Sequence, residues 1–275
     1  MFLVNLVLKA TETAGHSSGE TGSSAPPELP NIVQIISSLL HNSGIVHFLH
    51  NYENLFFSII VILFLGILFA KASAKAKIIP GRLQNFLEIP IEWLYDLVIG
   101  VMGKRGERYL PFVGTIFLYI LSMNLLGLVP TMKSPTSSLN TTLALAGTVF
   151  IYVQFTGMRN LGILGYLDHL SGEPRGIVGF AMIPLMLPLH IMGELVRPVS
   201  LSLRLFGNIL GEDSLIGALA ALGVVSLGFL HFPYVGLPFQ FPFIILAVLF
   251  STIQALVFTL LSTIYISLML PHEEH

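Results

Sequence analysis

The sequence predicts an all-α integral membrane protein with about three transmembrane helices, one interfacial amphipathic helix and a strongly tilted, long helical hairpin. Two observations carry that prediction. Hydrophobic residues fill 54% of the 275 positions and charged residues only 10%, whereas a soluble domain carries about a quarter charged residues to keep its surface hydrated. The apolar residues also gather into runs of membrane-helix length, with most of the charges between them. A chain with a mean hydropathy of +0.82 needs lipid as its solvent.

Composition also excludes several function classes. A net charge of -2 gives no electrostatic footprint for a nucleic-acid partner. The lack of cysteine rules out disulfides, thiol catalysis and thiolate metal sites. The nine histidines show no HExxH or similar metal spacing, and no GxSxG marks a nucleophile. No cofactor or metal is expected, and no chemistry in the chain itself. The opening MFLVNLVLK lacks a basic start and a small-residue cleavage site, so it does not read as a secretory signal.

Two regions are predicted, a polar and weakly amphipathic tail over 1–54 and a single membrane domain over 55–275. The first span covers 55–72 and is nearly continuous aliphatic and aromatic. The segment 83–103 differs, because Glu88, Glu92 and Asp96 recur every four residues on one helical face. Leu87, Ile91, Leu94, Val98 and Val101 lie on the other face, so this helix should lie in the interface and not cross the membrane. Spans 109–130 and 139–158 form a hairpin around the turn PTMKSPTS. A mostly apolar stretch over 177–226, with its main helix running from about Pro188, is followed by the turn GFLHFPYVGLPFQFP and a last helix within 240–270. A helix of some 35 residues would be roughly 50 Å long, against a hydrocarbon core of about 30 Å. It must tilt strongly or break.

Basic residues set the expected orientation. Lys71, Lys75, Lys77, Arg82, Lys104, Arg105 and Arg108 follow the first span, and Arg159 and Arg175 follow the third. The remaining aqueous segments hold only Lys9 and Lys133. By the positive-inside rule, the amino terminus lies outside and the carboxyl terminus in the cytoplasm.

Arg197 and Arg204 are left, and both fall inside the apolar region. At 100° per residue, His190, Glu194, Arg197, Arg204, Asn208 and Glu212 fall within about 40° of a common line. Asp213 points away by more than a quarter turn. Ionisable residues inside a membrane are costly and usually line an ion path or meet a partner. Arg197 can also pair with Glu194 one turn back. The last helix offers a matching stripe of Ser251, Gln254, Ser262 and Tyr265. The residues therefore predict movement of a small cation, most simply a proton, through the bilayer. A stand-alone channel or secondary transporter is the alternative. Transporters commonly carry paired inverted halves, and no second copy of the 190–212 pattern occurs.

The run RPVSLSLRLFGN, Arg197 to Asn208, closely resembles the signature of the a subunit of F-type ATP synthases. NLLGLVP with LNTTLALA (Asn124–Pro130 and Leu139–Ala146) resembles that family's second hairpin, TIQALVFTLLSTIYIS (Thr252–Ser267) its last helix, and the terminal EEH a common ending. The resemblance covers roughly 50 to 275. It implies a proton-translocating stator in a bacterial-type plasma membrane. Its partners would be a rotating c-subunit ring, the b-subunit peripheral stalk and the rest of the synthase. Two aqueous half-channels would serve the ring carboxylates. The essential arginine corresponds to Arg204, its companion asparagine to Asn208 and the last-helix glutamine to Gln254. Ser200 and His190 match polar family positions near a half-channel. Two departures follow. Where the family has one acid after the Gly-Asn pair, this chain has Glu212 and Asp213; ungapped counting favours Asp213, and the helical wheel favours Glu212. A last-helix histidine or glutamate is replaced by Ala247.

Overall fold

The structure, a computed structural model, describes residues 52–74, 81–129, 132–172, 176–229 and 241–270. Among these residues it is all α-helical, with no strand. Helix α1 is Glu53–Ala74, α2 Arg82–Met102, α3 Leu110–Gly127, α4 Leu139–Leu170, α5 Gly176–Phe229 and α6 Phe241–Leu268. A short 3-10 helix, Gly103–Arg108, joins α2 to α3, and a second, Pro135–Ser137, precedes α4. The 1–51 part of the expected tail, Lys75, Lys77, Arg175, most of the final turn and the terminal EEH lie outside the described residues.

Among the described residues, four helices are long and apolar enough to cross a membrane: α1, α3, α4 as far as Gly162, and α6. Their surfaces suit lipid. Helix α1 leaves Leu63 57% and Phe64 60% exposed while burying Phe57 and Val61. In water such a continuous apolar face would be a large patch seeking a partner.

The chain divides into two compact units. One comprises the chain up to Ile67, Tyr119–Ser138 and Gly207–Gln254; the other comprises Leu68–Leu118, Leu139–Phe206 and Ala255–His275. In the first, Ser58 and the Tyr119 hydroxyl share a hydrogen bond, and the end of α3 packs closely on the following turn. A Cβ on Gly127 would sit 2.7 Å from Ser134 Cβ and 3.3 Å from its backbone nitrogen. Only a hydrogen fits there, because Ser134 is itself buried and donates to the Met123 carbonyl at 3.1 Å. Gly127→Ala should therefore destabilise the purified chain by about 1–3 kcal/mol. An unchanged thermal midpoint would contradict this close packing.

In the second unit, Phe112 stacks on Tyr152 with ring centroids 3.6 Å apart, and Asn160 donates to the Tyr109 hydroxyl at 3.1 Å. Helix α2 buries Leu87, Leu94 and Val98 and exposes Glu88, Glu92 and Asp96, as its pattern predicts. It also has a face the pattern did not separate. Phe86, Ile89 and Trp93 stand exposed beside the acids, so α2 offers an apolar edge as well as a wet one.

Two helices run past their expected bounds. The helix of the third span continues beyond 158 to Gly162, where φ 71 and ψ 166 break it before it resumes to Leu170. Glycine tolerates that positive φ without a Cβ clash. The long helix does not start near Pro188. It runs for 54 residues from Gly176 through Pro184, Pro188 and Pro198. Proline removes an N–H and crowds the preceding turn, but membrane helices re-satisfy the freed carbonyls through neighbours and local adjustment. At 1.5 Å per residue its contour is about 80 Å, which sharpens the length mismatch already visible in the sequence.

Candidate functional site

The polar stripe of α5 runs along the edge of that helix's packed face. Leu201, Ser202, Leu205 and Ile209 are buried, whereas Val199, Ser200, Leu203, Arg204, Gly207, Asn208 and Gly211 are exposed. By helical periodicity Glu194 and Glu212 sit on the side of the stripe nearer the buried row, and Arg204 lies about 80° away on the open side. Both carboxylates are partly buried. One stripe in sequence thus becomes inward-turned acids and an outward-turned cation.

In the second unit, Glu194 is the centre of a matched cluster. Its Oε1 accepts a hydrogen bond from Arg197 Nη1 in an i, i+3 ion pair, and its Oε2 accepts one from Gln154 Nε2 at 3.1 Å. The Tyr166 hydroxyl donates in turn to Gln154 Oε1. The Arg197 guanidinium also lies over the Tyr265 ring, 5.2 Å from its centroid, a favourable cation–π position. Arg197 is therefore satisfied within the chain. His190 is exposed, with Nδ1 3.1 Å from the Met186 carbonyl of its own helix. Ser200 is exposed too, and Ser202 turns back to the Val199 carbonyl at 2.9 Å.

Arg204 belongs to the same unit and behaves differently. Its side chain is exposed and makes no hydrogen bond or ion pair with any described residue.

In the first unit, Asn208 Nδ2 donates to Gln254 Oε1 at 2.6 Å. The Ser251 hydroxyl faces Glu212, 3.4 Å from each carboxylate oxygen. Behind them lies a buried relay of neutral groups. Asn124 donates to the Ser251 carbonyl at 3.4 Å, Thr136 donates to Asn124 Oδ1 at 2.8 Å, and the Ser134 and Thr136 hydroxyls lie 2.6 Å apart. Gln254 Nε2 is buried and has no hydrogen-bond partner among the described residues, a state that costs free energy unless another group meets it. A cavity of about 360 Å³ is lined by Asn208, Glu212, Gly207, Gly211, Ala247 and Phe250 among others. Ala247, where the resemblance leads one to expect a polar side chain, is thus part of the wall that Glu212 shares. Asp213 is half-buried and does not line this cavity.

Of the last-helix stripe, Ser251, Gln254 and Tyr265 meet α5 residues. Ser262 is buried and bonds back to the Phe258 carbonyl of its own helix at 2.8 Å. Sequence reasoning missed Asn124, Ser134, Thr136, Gln154 and Tyr166. Asn124, Gln154 and Tyr166 are single polar residues in or beside apolar segments, so the only available signal was a lone polar group at membrane depth; Ser134 and Thr136 sit in the polar turn PTMKSPTS, where hydroxyls are ordinary.

Residues 55–267 match the family described as ATP synthase A chain. The chain belongs to that family. It is 47% identical to the ATP synthase subunit a of Protochlamydia amoebophila over 248 residues, which is 90% of this chain and 91% of that one. Its identity to ATP synthase subunit a of Moorella thermoacetica is 45%, covering 76% of this chain and 86% of the relative. With the Solidesulfovibrio magneticus subunit a it shares 40%, over 78% and 82% of the two chains. The matched segment includes every stripe residue of this family member, from His190 to Gln254, and leaves out only the amino-terminal lead and the last eight residues.

Proposed function

We propose that the chain is the membrane stator of an F-type ATP synthase in a bacterial plasma membrane, and that Arg204 meets the carboxylates of a rotating c-subunit ring as protons pass. The observation that carries this reading is the contrast between two arginines on one helix. Arg197 is matched by Glu194 and Tyr265, whereas Arg204 stands exposed without a hydrogen bond or ion pair to any described residue. A permanent charge at that depth needs a counter-charge, and in this reading a ring carboxylate supplies it.

The electrostatics of that meeting suit rotation. Two unit charges about 4 Å apart attract by roughly 4 kcal/mol at an effective dielectric of 20, which shifts a carboxylate's ionisation by about a thousandfold. Burial in lipid opposes ionisation by a comparable amount. A ring carboxylate beside Arg204 therefore gives up its proton, and one facing lipid holds it. Guanidinium itself never exchanges a proton at biological pH, so Arg204 blocks direct leakage between entry and exit. The driving energy of about 2.3 kcal/mol per charge per 100 mV is enough to bias steps this closely balanced.

Two aqueous half-channels would serve the ring. The cavity with Asn208 and Glu212, with Gln254 and Asp213 nearby, supports one path; His190 and Glu194 supply protonatable groups for another. The basic residues between α1 and α3 and after α4 support an outside amino terminus and a cytoplasmic carboxyl terminus. The b-subunit stalk and the remaining synthase subunits complete the expected partners.

The exposed row beside Arg204 is rich in small residues. Added Cβ atoms at Gly207 and Gly211 would meet nothing within 4 Å, so a second helix can approach closely. The chain has no cysteine, which makes single introduced thiols unambiguous. Gly207→Cys and Gly211→Cys should form disulfides with a cysteine placed next to the ring carboxylate, and Leu205→Cys, fully buried, should not. Equal cross-linking at 205, or none at 207 and 211, rejects this face as the ring contact.

A further inference from the structure

A second charged site lies in the unit that contains α2, and neither the stripe nor the ring accounts for it. A cavity of about 670 Å³ is lined by Lys104, Arg105, Glu107, Arg108, Tyr109, Asn160 and Leu270. We propose that it binds the phosphodiester headgroup of an anionic phospholipid.

The loop is shaped to present its charges. Gly103 takes φ +64, and its N–H closes α2 on the Ile99 carbonyl. Gly106 is buried, and a Cβ there would lie 2.8 Å from Val98 Cγ1 and 3.1 Å from the Val98 carbonyl oxygen. With its backbone pressed on α2 at Gly106, the turn exposes the flanking side chains Lys104, Arg105, Glu107 and Arg108. Lys104 and Arg108 form no hydrogen bond or ion pair with a described residue. Glu107, the one acid of the group, accepts a hydrogen bond from the Tyr95 hydroxyl at 3.0 Å. Tyr109 and Asn160 are joined at the wall, with Asn160 Nδ2 donating to the tyrosine hydroxyl.

Lys104 and Arg108 at one cavity, with Arg105 adding positive charge, offer N–H donors in the geometry that phosphate oxygens accept. The depth selects the source of the phosphate. The loop follows α2 directly, and the exposed Phe86, Ile89 and Trp93 of α2 fit the headgroup boundary. Leu270 adds an apolar side suited to the glycerol and upper acyl region. Basic pockets at this level are a recognised solution for anionic lipid headgroups. This site is independent of the ring contact and stands or falls separately.

The full chain, purified in neutral detergent, would be titrated with phosphatidylglycerol, phosphatidylcholine and inorganic phosphate in separate arms and read by native mass spectrometry. Phosphatidylglycerol should be retained, phosphatidylcholine should not, and inorganic phosphate at about 10 mM should fail to displace the lipid, since it lacks the apolar contact. Lys104→Gln with Arg108→Gln should weaken retention by about thirtyfold; Lys71→Gln with Arg82→Gln, an equal charge loss outside the cavity, should change it far less. All four side chains are exposed, and matching thermal midpoints would show that folding is intact. Equal loss in both pairs, displacement by inorganic phosphate, or capture of another subunit by a photo-cross-linker at position 104 in the assembled synthase would each overturn the assignment.

Discussion

Arg204→Ala is expected to leave the synthase assembled while abolishing both proton-driven ATP synthesis and ATP-driven proton pumping. Assembly should survive because the Arg204 side chain is exposed and makes no hydrogen bond or ion pair with a described residue. Its neighbours Leu201, Leu205 and Ile209 bury the helix. Function should not survive, because the roughly 4 kcal/mol that favours an ionised ring carboxylate disappears. The carboxylate then stays protonated as it passes, and nothing forces release on one side before loading on the other. Passive proton leak through the membrane sector should rise at the same time, since the blocking charge is gone. Arg204→Lys keeps a charge but loses the planar fork and carries it on a more strongly hydrated head, so it should retain much less coupled activity than wild type. Synthesis and dye-quench pumping in inverted vesicles measure both variants. Coupled pumping by the alanine variant would end the proposed role of this residue. Arg197→Ala makes an informative contrast. Removing it leaves partly buried Glu194 without its cation, so its cost should appear in stability as well as in transport.

Glu212→Gln should slow proton transfer much more than Asp213→Asn. Glu212 lines the cavity beside Asn208 and faces the Ser251 hydroxyl, and Asp213 is not among the lining residues. A positioned acid or base commonly contributes about a hundredfold or more to a proton-transfer step. A loss of that order is expected for Glu212→Gln at limiting driving force. The amide keeps the shape and the Ser251 contact but cannot shuttle a proton. Stopped-flow acidification of vesicles under an imposed potential would resolve the two variants. A larger effect at position 213 would mean that the path follows sequence counting and not the wall of the cavity. Ala247→His offers a gain-of-function arm. Ala247 shares that wall, so a titratable ring there should partly restore transfer to Glu212→Gln.

Much of this molecule was legible before any coordinates. The spans α1, α3 and α6, the amphipathic α2 and the stripe on α5 all follow from apolar run length and helical period, because lipid imposes strict composition on whatever it touches. Other features were not legible. Prolines 184, 188 and 198 suggest breaks, yet α5 continues through all three, since a proline's cost depends on what neighbouring groups do with the freed carbonyls. The Gly162 kink looks in sequence like any other glycine. The Asn124–Ser251 contact joins residues 127 positions apart, and Glu194 meets Gln154 across 40. Periodicity says which face a residue occupies and is silent on which neighbour faces it.

The sequence by itself determined that the chain lives in a membrane, which residues share the polar face of its long helix, and that Arg204 sits in a run shared with the ATP synthase a subunit. Local periodicity and the cost of burying charge in lipid are enough for the first two, and the resemblance of the run Arg197 to Asn208 supplies the third. Only the tertiary structure decided which side of the stripe turns inward. Helix α5 packs through Leu201, Leu205 and Ile209, a row beside the stripe, so that Glu194 and Glu212 find partners within their units while Arg204 is left exposed. The position of a packed seam depends on the shape of the neighbouring helices, and no single helix encodes that about itself.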